Sequence, residues 1–255
     1  MKKSSYFLRL ALLAVLSVST LVSLPRVDAQ TSTGSEQTPI DIRNEDLTFV
    51  EHLPPLGFSY GTKVTLDVFN NGSPGEFATI RANVPDGGGE LRVAGVAYKL
   101  LQFHWHTPSE HELNGEKFPM EMHLVHRSAD VTLPDGTVSS GKLSVVGVWI
   151  RSGKENKELK KLFANLPAQT DEHRTIGHFN LTRLLPESLE SYRYNGSLTT
   201  PNFDEGVRWV VLAEPIEMSD EQIDAFKQLF PEGNSREIQP LNGRAVLTDV
   251  APEVD

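Results

Sequence analysis

Five of the chain's eight histidines lie between Lys99 and His126, and their spacing is that of a metal site. If Lys99 to Thr107 is a β-strand, its side chains alternate between faces: Gln102, His104 and His106 share one, while Leu101, Phe103 and Trp105 share the other. A second strand from Phe118 to His126 puts Glu121, His123 and Val125 on one face, with Met120, Met122, Leu124 and His126 opposite. If the two pair antiparallel, with Pro108 to Lys117 as the connection, His123 meets His104 and His106 at one point. Three neutral imidazoles on rigid strands, with no fourth protein ligand, suit a catalytic zinc that keeps one position open to water. Bound histidines also need a partner for the second ring nitrogen, and Gln102 and Glu121 each stand two residues before a candidate ligand on the same face. A His-x-His pair alone is a weak signal. The added Glu-x-His on the next strand makes the pattern specific.

The remaining elements must hold these strands in place. Between Gln37 and Lys99, short strands such as Lys63 to Phe69 and Glu76 to Asn83 alternate with turns at Asn70-Asn71-Gly72 and Asp86-Gly87-Gly88-Gly89, and no helix of any length is expected. Asp135-Gly136-Thr137 marks a hairpin turn. The nearly continuous apolar run Leu143 to Ile150 reads as a strand buried on both faces. Two packing helices are expected: one over Asn156 to Leu166, with Leu159, Leu162 and Phe163 at helical spacing, and one after the capping box Ser219-Asp220-Glu221-Gln222, burying Ile223, Phe226 and Leu229. The fold class is mainly β (α+β), with short peripheral helices.

Residues 1–29 read as a secretory signal. Lys2, Lys3 and Arg9 precede an apolar run from Leu10 to Leu24, too short for a typical membrane span, and Val27-Asp28-Ala29 supplies small residues for cleavage. A periplasmic or secreted product with no membrane partner after cleavage is therefore expected. Residues 30–255 suit one domain, with no repeat or long linker. The whole chain carries −10, and the leader holds four basic residues against one acidic, which leaves −13 on the remainder. That charge disfavours nucleic acid and anionic membranes as partners. With no cysteine, neither a disulfide nor a thiolate ligand is available. Nothing in the sequence fixes the oligomeric state.

Taken in order, several motifs resemble the α-class carbonic anhydrases. They are Gln37-Thr38-Pro39-Ile40-Asp41-Ile42, Gln102-Phe103-His104-Trp105-His106, Ser109-Glu110-His111, Glu121 to His126, Tyr194 to Pro201, Glu205 to Leu212 and Gln239 to Arg244. That family is itself the standard example of a three-histidine catalytic zinc site. The resemblance implies a single domain built on a large, mostly antiparallel twisted central sheet. It also implies reversible hydration of carbon dioxide to bicarbonate by zinc-bound hydroxide, with zinc on His104, His106 and His123. By the same resemblance Thr199 donates to Glu110 and accepts from the nucleophile, and the backbone carbonyl of Asn234 orients the second zinc histidine. Val125 and Val145 face the metal in the strand reading, and the resemblance adds Leu198, Thr200, Val207 and Trp209 to the carbon dioxide pocket.

The chain departs from its relatives in four places. After Asn70-Asn71-Gly72 comes Ser73, where fast members carry a proton-shuttling histidine; Glu76 or His52 could substitute, and the shuttle stays unassigned. Glu237 replaces a proline after Arg236, and Phe203 stands near a usual half-cystine position. Only about Gln30 to Glu36 precedes Gln37, where relatives carry a longer aromatic segment. The expectation is a working enzyme limited by proton transfer. His111 and His126 are expected to make buried structural hydrogen bonds, and His173 and His178 to lie in loops. A non-catalytic binding module is the main alternative, although such a module would be expected to lose a zinc histidine or the Thr199 and Glu110 pair. A zinc esterase is a second alternative, against which the apolar pocket argues.

Overall fold

His104 and His123 stand directly opposite each other on antiparallel strands, and that pair lies near the middle of the sheet that organises the molecule. A computed structural model describes residues 34–72 and 77–251, all in one compact unit. The proposed leader and Glu76 lie outside the described residues. In chain order the main strands are β1 (Leu47–Phe49), β2 (Val64–Asn70), β3 (Ile80–Asn83), β4 (Val96–His106), β5 (Met120–Ser128), β6 (Leu143–Ser152), β7 (His173–Phe179), β8 (Ser191–Ser197), β9 (Glu205–Met218) and β10 (Val246–Thr248). They lie side by side in the order β7-β2-β3-β4-β5-β6-β9-β8-β10-β1. Only β6 with β9 and β10 with β1 run parallel, so the sheet is mostly antiparallel, as expected. Strands Gly57–Tyr60 and Gly89–Val93 join it through the first half of β4.

The sheet buries both faces. One carries Phe103, Trp105, Met122, Leu124, Val146 and Val148 into the larger core, which α1 (Lys157–Phe163) and α2 (Asp220–Lys227) close with Leu159, Phe163, Ile223 and Phe226. The other carries a smaller cluster around Trp149, Tyr194, Trp209 and Val211, and the histidines stand beside it. Strand β6, flanked on both sides and covered on both faces, is buried from Ser144 to Ile150, as its apolar run requires.

α1 is shorter than expected. Asn156 caps it by accepting from the backbone N–H groups of Glu158 and Leu159, and it stops at Phe163; Leu166, the residue before Pro167, is disfavoured in helical conformation. α2 carries the expected capping box between Ser219 and Gln222. The Asp135-Gly136-Thr137 turn joins strands Val131–Thr132 and Val138–Ser139.

Two strand readings need correction. Leu101 does not share the face of Phe103 and Trp105: it is 41% exposed, while Leu100 enters their core. The register against β5 steps from Gln102 to Leu100 at that point, a β-bulge that inserts one residue and switches the alternation. His173 and His178 lie within β7 rather than in loops. That edge strand pairs only with β2 and shifts register between Ile176 and Phe179, with His178 at φ 53°, so its irregular alternation hides it from a pattern reading.

His126 is structural, as expected. It is fully buried; Tyr60 Oη donates to its Nε2 at 2.6 Å, and its Nδ1 donates to Ser144 O at 3.3 Å. Both ring nitrogens are satisfied in the neutral form, and burial lowers its pKa to about 4. As pH falls below about 6.5 the unfolded chain takes up this proton first, so the associated stability is whole above that pH, lost down to about 4 and level below it. At about 1.4 kcal/mol per pKa unit this amounts to roughly 3 kcal/mol. Denaturant unfolding of metal-free protein should therefore show a stability loss between pH 7 and 4 that is smaller by about that amount in His126→Gln. The other buried histidines are common to both chains, and equal losses would refute the assignment.

Candidate metal centre

Alternation on two neighbouring strands places all the candidate ligands on one face. On β4 it turns Gln102, His104 and His106 to the side on which β5 presents Glu121 and His123, with Glu121 opposite His106. Ring centroids are 5.0 Å apart for His104 and His106, 5.3 Å for His104 and His123, and 4.6 Å for His106 and His123. Each ring commits one nitrogen to a fixed acceptor. His104 Nδ1 donates to Gln102 Oε1 at 2.9 Å, His106 Nδ1 to the backbone oxygen of Asn234 at 3.0 Å, and His123 Nε2 to Glu121 Oε1 at 2.8 Å. That leaves Nε2 of His104, Nε2 of His106 and Nδ1 of His123 as lone-pair donors. One nitrogen from each ring lies within 4.8 Å of the other two. Nε2 of His106 is buried without a hydrogen-bond partner, an unfavourable state that a bound cation would relieve. A set of three imidazole nitrogens fits zinc.

The supports behind the ligands are as specific as the ligands. Glu121 is fully buried and accepts four hydrogen bonds: Oε1 from His111 Nδ1 at 2.7 Å and from His123 Nε2, and Oε2 from the backbone N–H groups of Glu110 and His111 at 3.0 and 2.9 Å. His111, Glu121 and His123 also lie close enough to hold a metal. The donors already aimed at Glu121 instead make that group a hydrogen-bonded chain, continued by His111 Nε2 meeting Tyr194 Oη at 2.7 Å. Asn234 is locked from three sides. Its side-chain oxygen accepts from Thr107 N at 2.8 Å, and its side-chain nitrogen donates to the backbone oxygens of Ala78 and Trp105 at 2.8 and 3.0 Å.

Burial favours neutral imidazoles: it holds His104 well below the ordinary histidine value and His106 below it. Burial also opposes charge on His123, but the Glu121 carboxylate and its hydrogen bond, with Glu110 nearby, outweigh it and hold that ring above its ordinary value. Glu121 is the counterpart. Burial opposes its ionisation, yet His111 and His123 keep it well below the usual carboxylate range.

A cavity of about 140 Å³ opens onto the three histidines. Val125, Val145, Leu198, Thr199, Thr200 and Trp209 line it. Val207 packs in the apolar cluster behind Trp209 and does not line the cavity; His52 does not line it either. The hydrogen bond expected between Thr199 and Glu110 is not made here. Glu110 Oε1 accepts from the backbone N–H of Arg236 at 2.9 Å, while its buried Oε2 has no partner. The sequence reading gave Arg236 no role, yet its guanidinium also donates to Thr38 O at 2.6 Å and Gln37 Oε1 at 2.9 Å. It gave no place in the site to Asn71, Thr79 and Arg81 on the polar wall, or to Phe77, although Thr79, Arg81 and Asn83 alternate with the buried Ile80 and Ala82. A larger surface groove of about 930 Å³, between residues 154–158 and 214–217, alternates acids with bases and holds no convergent ligand set.

Residues 26–250 match the family model of eukaryotic-type carbonic anhydrases. The chain belongs to that family. A carbonic anhydrase of Pectobacterium carotovorum is 38% identical over 217 residues, which cover 84% of this chain and 80% of that protein. One from Klebsiella pneumoniae is 37% identical over 215 residues, with the same coverage. The α-carbonic anhydrase of Thermovibrio ammonificans, solved with the inhibitor sulfanilamide, superposes with a TM-score of 0.74 at 39% identity over 85% of this chain and 88% of that one. The Photobacterium profundum α-carbonic anhydrase gives 0.71 at 38% identity, over 85% and 90%. As a carbonic anhydrase the chain is a lyase whose substrates are carbon dioxide and bicarbonate.

In this carbonic anhydrase Glu121 has room because residue 147, opposite His123, is glycine. A Cβ there would lie 2.9 Å from Glu121 Oε1 and 3.4 Å from Val211. Glu121→Gln should lower zinc affinity in chelator competition by the roughly 10- to 100-fold usual for such supports, carbonic anhydrases among them. Stability should fall by about 3 kcal/mol, because four donors then face an amide. Gly147→Ala should shift both quantities in the same direction by less. Wild-type zinc affinity in Glu121→Gln would refute the role given to the carboxylate.

Proposed function

We propose that this chain is a zinc enzyme whose carbon dioxide hydration is limited by proton transfer, with His104, His106 and His123 as the metal ligands. The observation that carries the metal reading is the buried, partnerless Nε2 of His106, facing two further imidazoles whose other nitrogens are already committed. A zinc held there supplies the Lewis acidity that makes water nucleophilic near neutral pH, a property for which carbonic anhydrases are themselves the reference case.

The chain's own groups do the rest. Glu110, with one oxygen held by Arg236, offers Oε2 to the Thr199 hydroxyl. An ionised carboxylate can only accept, so when the Thr199 hydroxyl closes onto Oε2 its proton is directed to Glu110 and its oxygen is left to accept from the attacking water, aiming that water's lone pair at carbon. The Thr199 backbone N–H holds an oxygen of the developing bicarbonate. Val125, Val145, Leu198 and Trp209 give carbon dioxide a dry wall with no competing polar group. Retention of the Thr199 and Glu110 pair argues against a non-catalytic binding module.

Among the described residues lining the cavity, the three ligand histidines are the only side chains of the type that ordinarily relays protons near neutral pH. They are committed to the metal, which supports the reading that no side chain relays the proton outward. Residues 1–29 act as a secretory signal in this reading and deliver a periplasmic or secreted enzyme.

Stopped-flow hydration on the mature protein should show activity that a chelator abolishes and zinc restores at about one ion per chain. Added imidazole should raise kcat strongly and leave kcat/KM nearly unchanged, whereas a rate indifferent to buffer refutes the missing relay. Thr199→Ala should lower kcat/KM by roughly 100-fold with zinc content intact. A zinc-loaded wild-type chain with no hydration in any buffer would move the binding-module reading ahead.

A further inference from the structure

Arg81 is the only permanently charged side chain among the described residues that line the cavity, and nothing in the reaction above uses it. It stands on β3 directly opposite His104. The same cross-strand row runs from His173 on β7 through Phe69 on β2 and Arg81 to His104 and His123. Directly opposite residues share a face, so the guanidinium rises beside the ligand histidines.

One end of this side chain is fixed. Arg81 Nε donates to Asn83 Oδ1 at 3.0 Å, Asn83 Nδ2 donates to Asp67 Oδ2 at 3.2 Å, and His173 Nδ1 meets Asp67 Oδ1 at 2.7 Å. The guanidinium carbon lies 5.8 Å from the Phe69 ring centroid. The other end is open. Among the described residues, neither terminal nitrogen of Arg81 has a hydrogen-bond partner, and no carboxylate lies within ion-pair distance. Partial burial pushes its pKa down, with no carboxylate opposing the shift. A half-desolvated, preoriented guanidinium whose terminal nitrogens meet no partner among the described residues presents a planar fork of N–H donors, the geometry that suits a planar oxyanion.

We propose that Arg81 binds a small planar monoanion inside the cavity, next to the metal position, and thereby sets this enzyme's affinity for bicarbonate and for competing inorganic anions. The proposal rests on the functional reading above for the identity of the site and adds a specificity residue to it. Gln102 and Thr200 line the same cavity, and each offers a further hydrogen-bond donor. The anion is held on the polar wall, across from the apolar side chains that receive carbon dioxide. Product bicarbonate is thus retained by a charge that does not touch the neutral substrate.

Nitrate, a planar monoanion that is not turned over, tests this. Its binding to zinc-loaded wild type, Arg81→Gln and Arg81→Lys is titrated by the movement of histidine ring resonances, and carbon dioxide hydration is measured on the same samples. Arg81→Gln should raise the nitrate Kd roughly fivefold to tenfold, about 1 kcal/mol for a charge-assisted contact in a half-exposed site. Arg81→Lys should recover part of that loss, since it keeps the charge without the fork. The KM for bicarbonate should rise in parallel, with a smaller change in kcat. A nitrate Kd in Arg81→Gln within about twofold of wild type overturns the proposal, whatever the hydration rate. Arg81-dependent nitrate binding in a wild-type chain that does not hydrate carbon dioxide supports the anion site and overturns the functional reading instead.

Discussion

The buried carboxylate of Glu121 is the constraint on which the rest of the site depends. A fully buried charge is tolerated only when its lone pairs are met, and here four donors meet it. Those donors are what the centre needs held in place: the ring of His123, the backbone that carries Glu110, and the ring of His111. From His111 the chain of hydrogen bonds runs through Tyr194 to Thr38, whose hydroxyl accepts from Tyr194 Oη at 3.2 Å and from Ser197 N at 3.1 Å. One charge therefore orients a ligand and ties the amino-terminal segment to the strand leading into Thr199.

The sheet supplies rigidity on the other side. Behind His104 and His106 stand Phe103 and Trp105, and behind His123 stand Met122 and Leu124, all fully buried in the larger core. A ligand cannot move without disturbing close-packed aromatic and aliphatic side chains. The bulge at Leu101 falls just short of the ligands. It turns Leu100 and Tyr98 inward to the core while His104 and His106 stay on the cavity face.

The cavity has two unlike walls. Val125, Val145, Leu198 and Trp209 come from the central strands and the segment after β8, whereas Asn71, Thr79, Arg81 and Gln102 come from β3, β4 and the chain before β3. An apolar substrate and an anionic product can thus be met by different sides of one small space.

Much of this was legible in the sequence because strand alternation is local. His104, His106 and His123 share a face by parity alone, Gln102 and Glu121 fall behind their ligands by the same rule, and the α2 capping box is written in four consecutive residues. Where parity breaks, at the Leu101 bulge and along the irregular edge strand holding His173 and His178, the pattern misleads. The tertiary structure alone decided which distant groups complete the centre. The Arg236 N–H on Glu110, the space left by Gly147 and the position of Arg81 beside His104 depend on contacts between segments far apart in the chain or on strand register. Those arise from how the sheet closes, and no spacing along the chain encodes them.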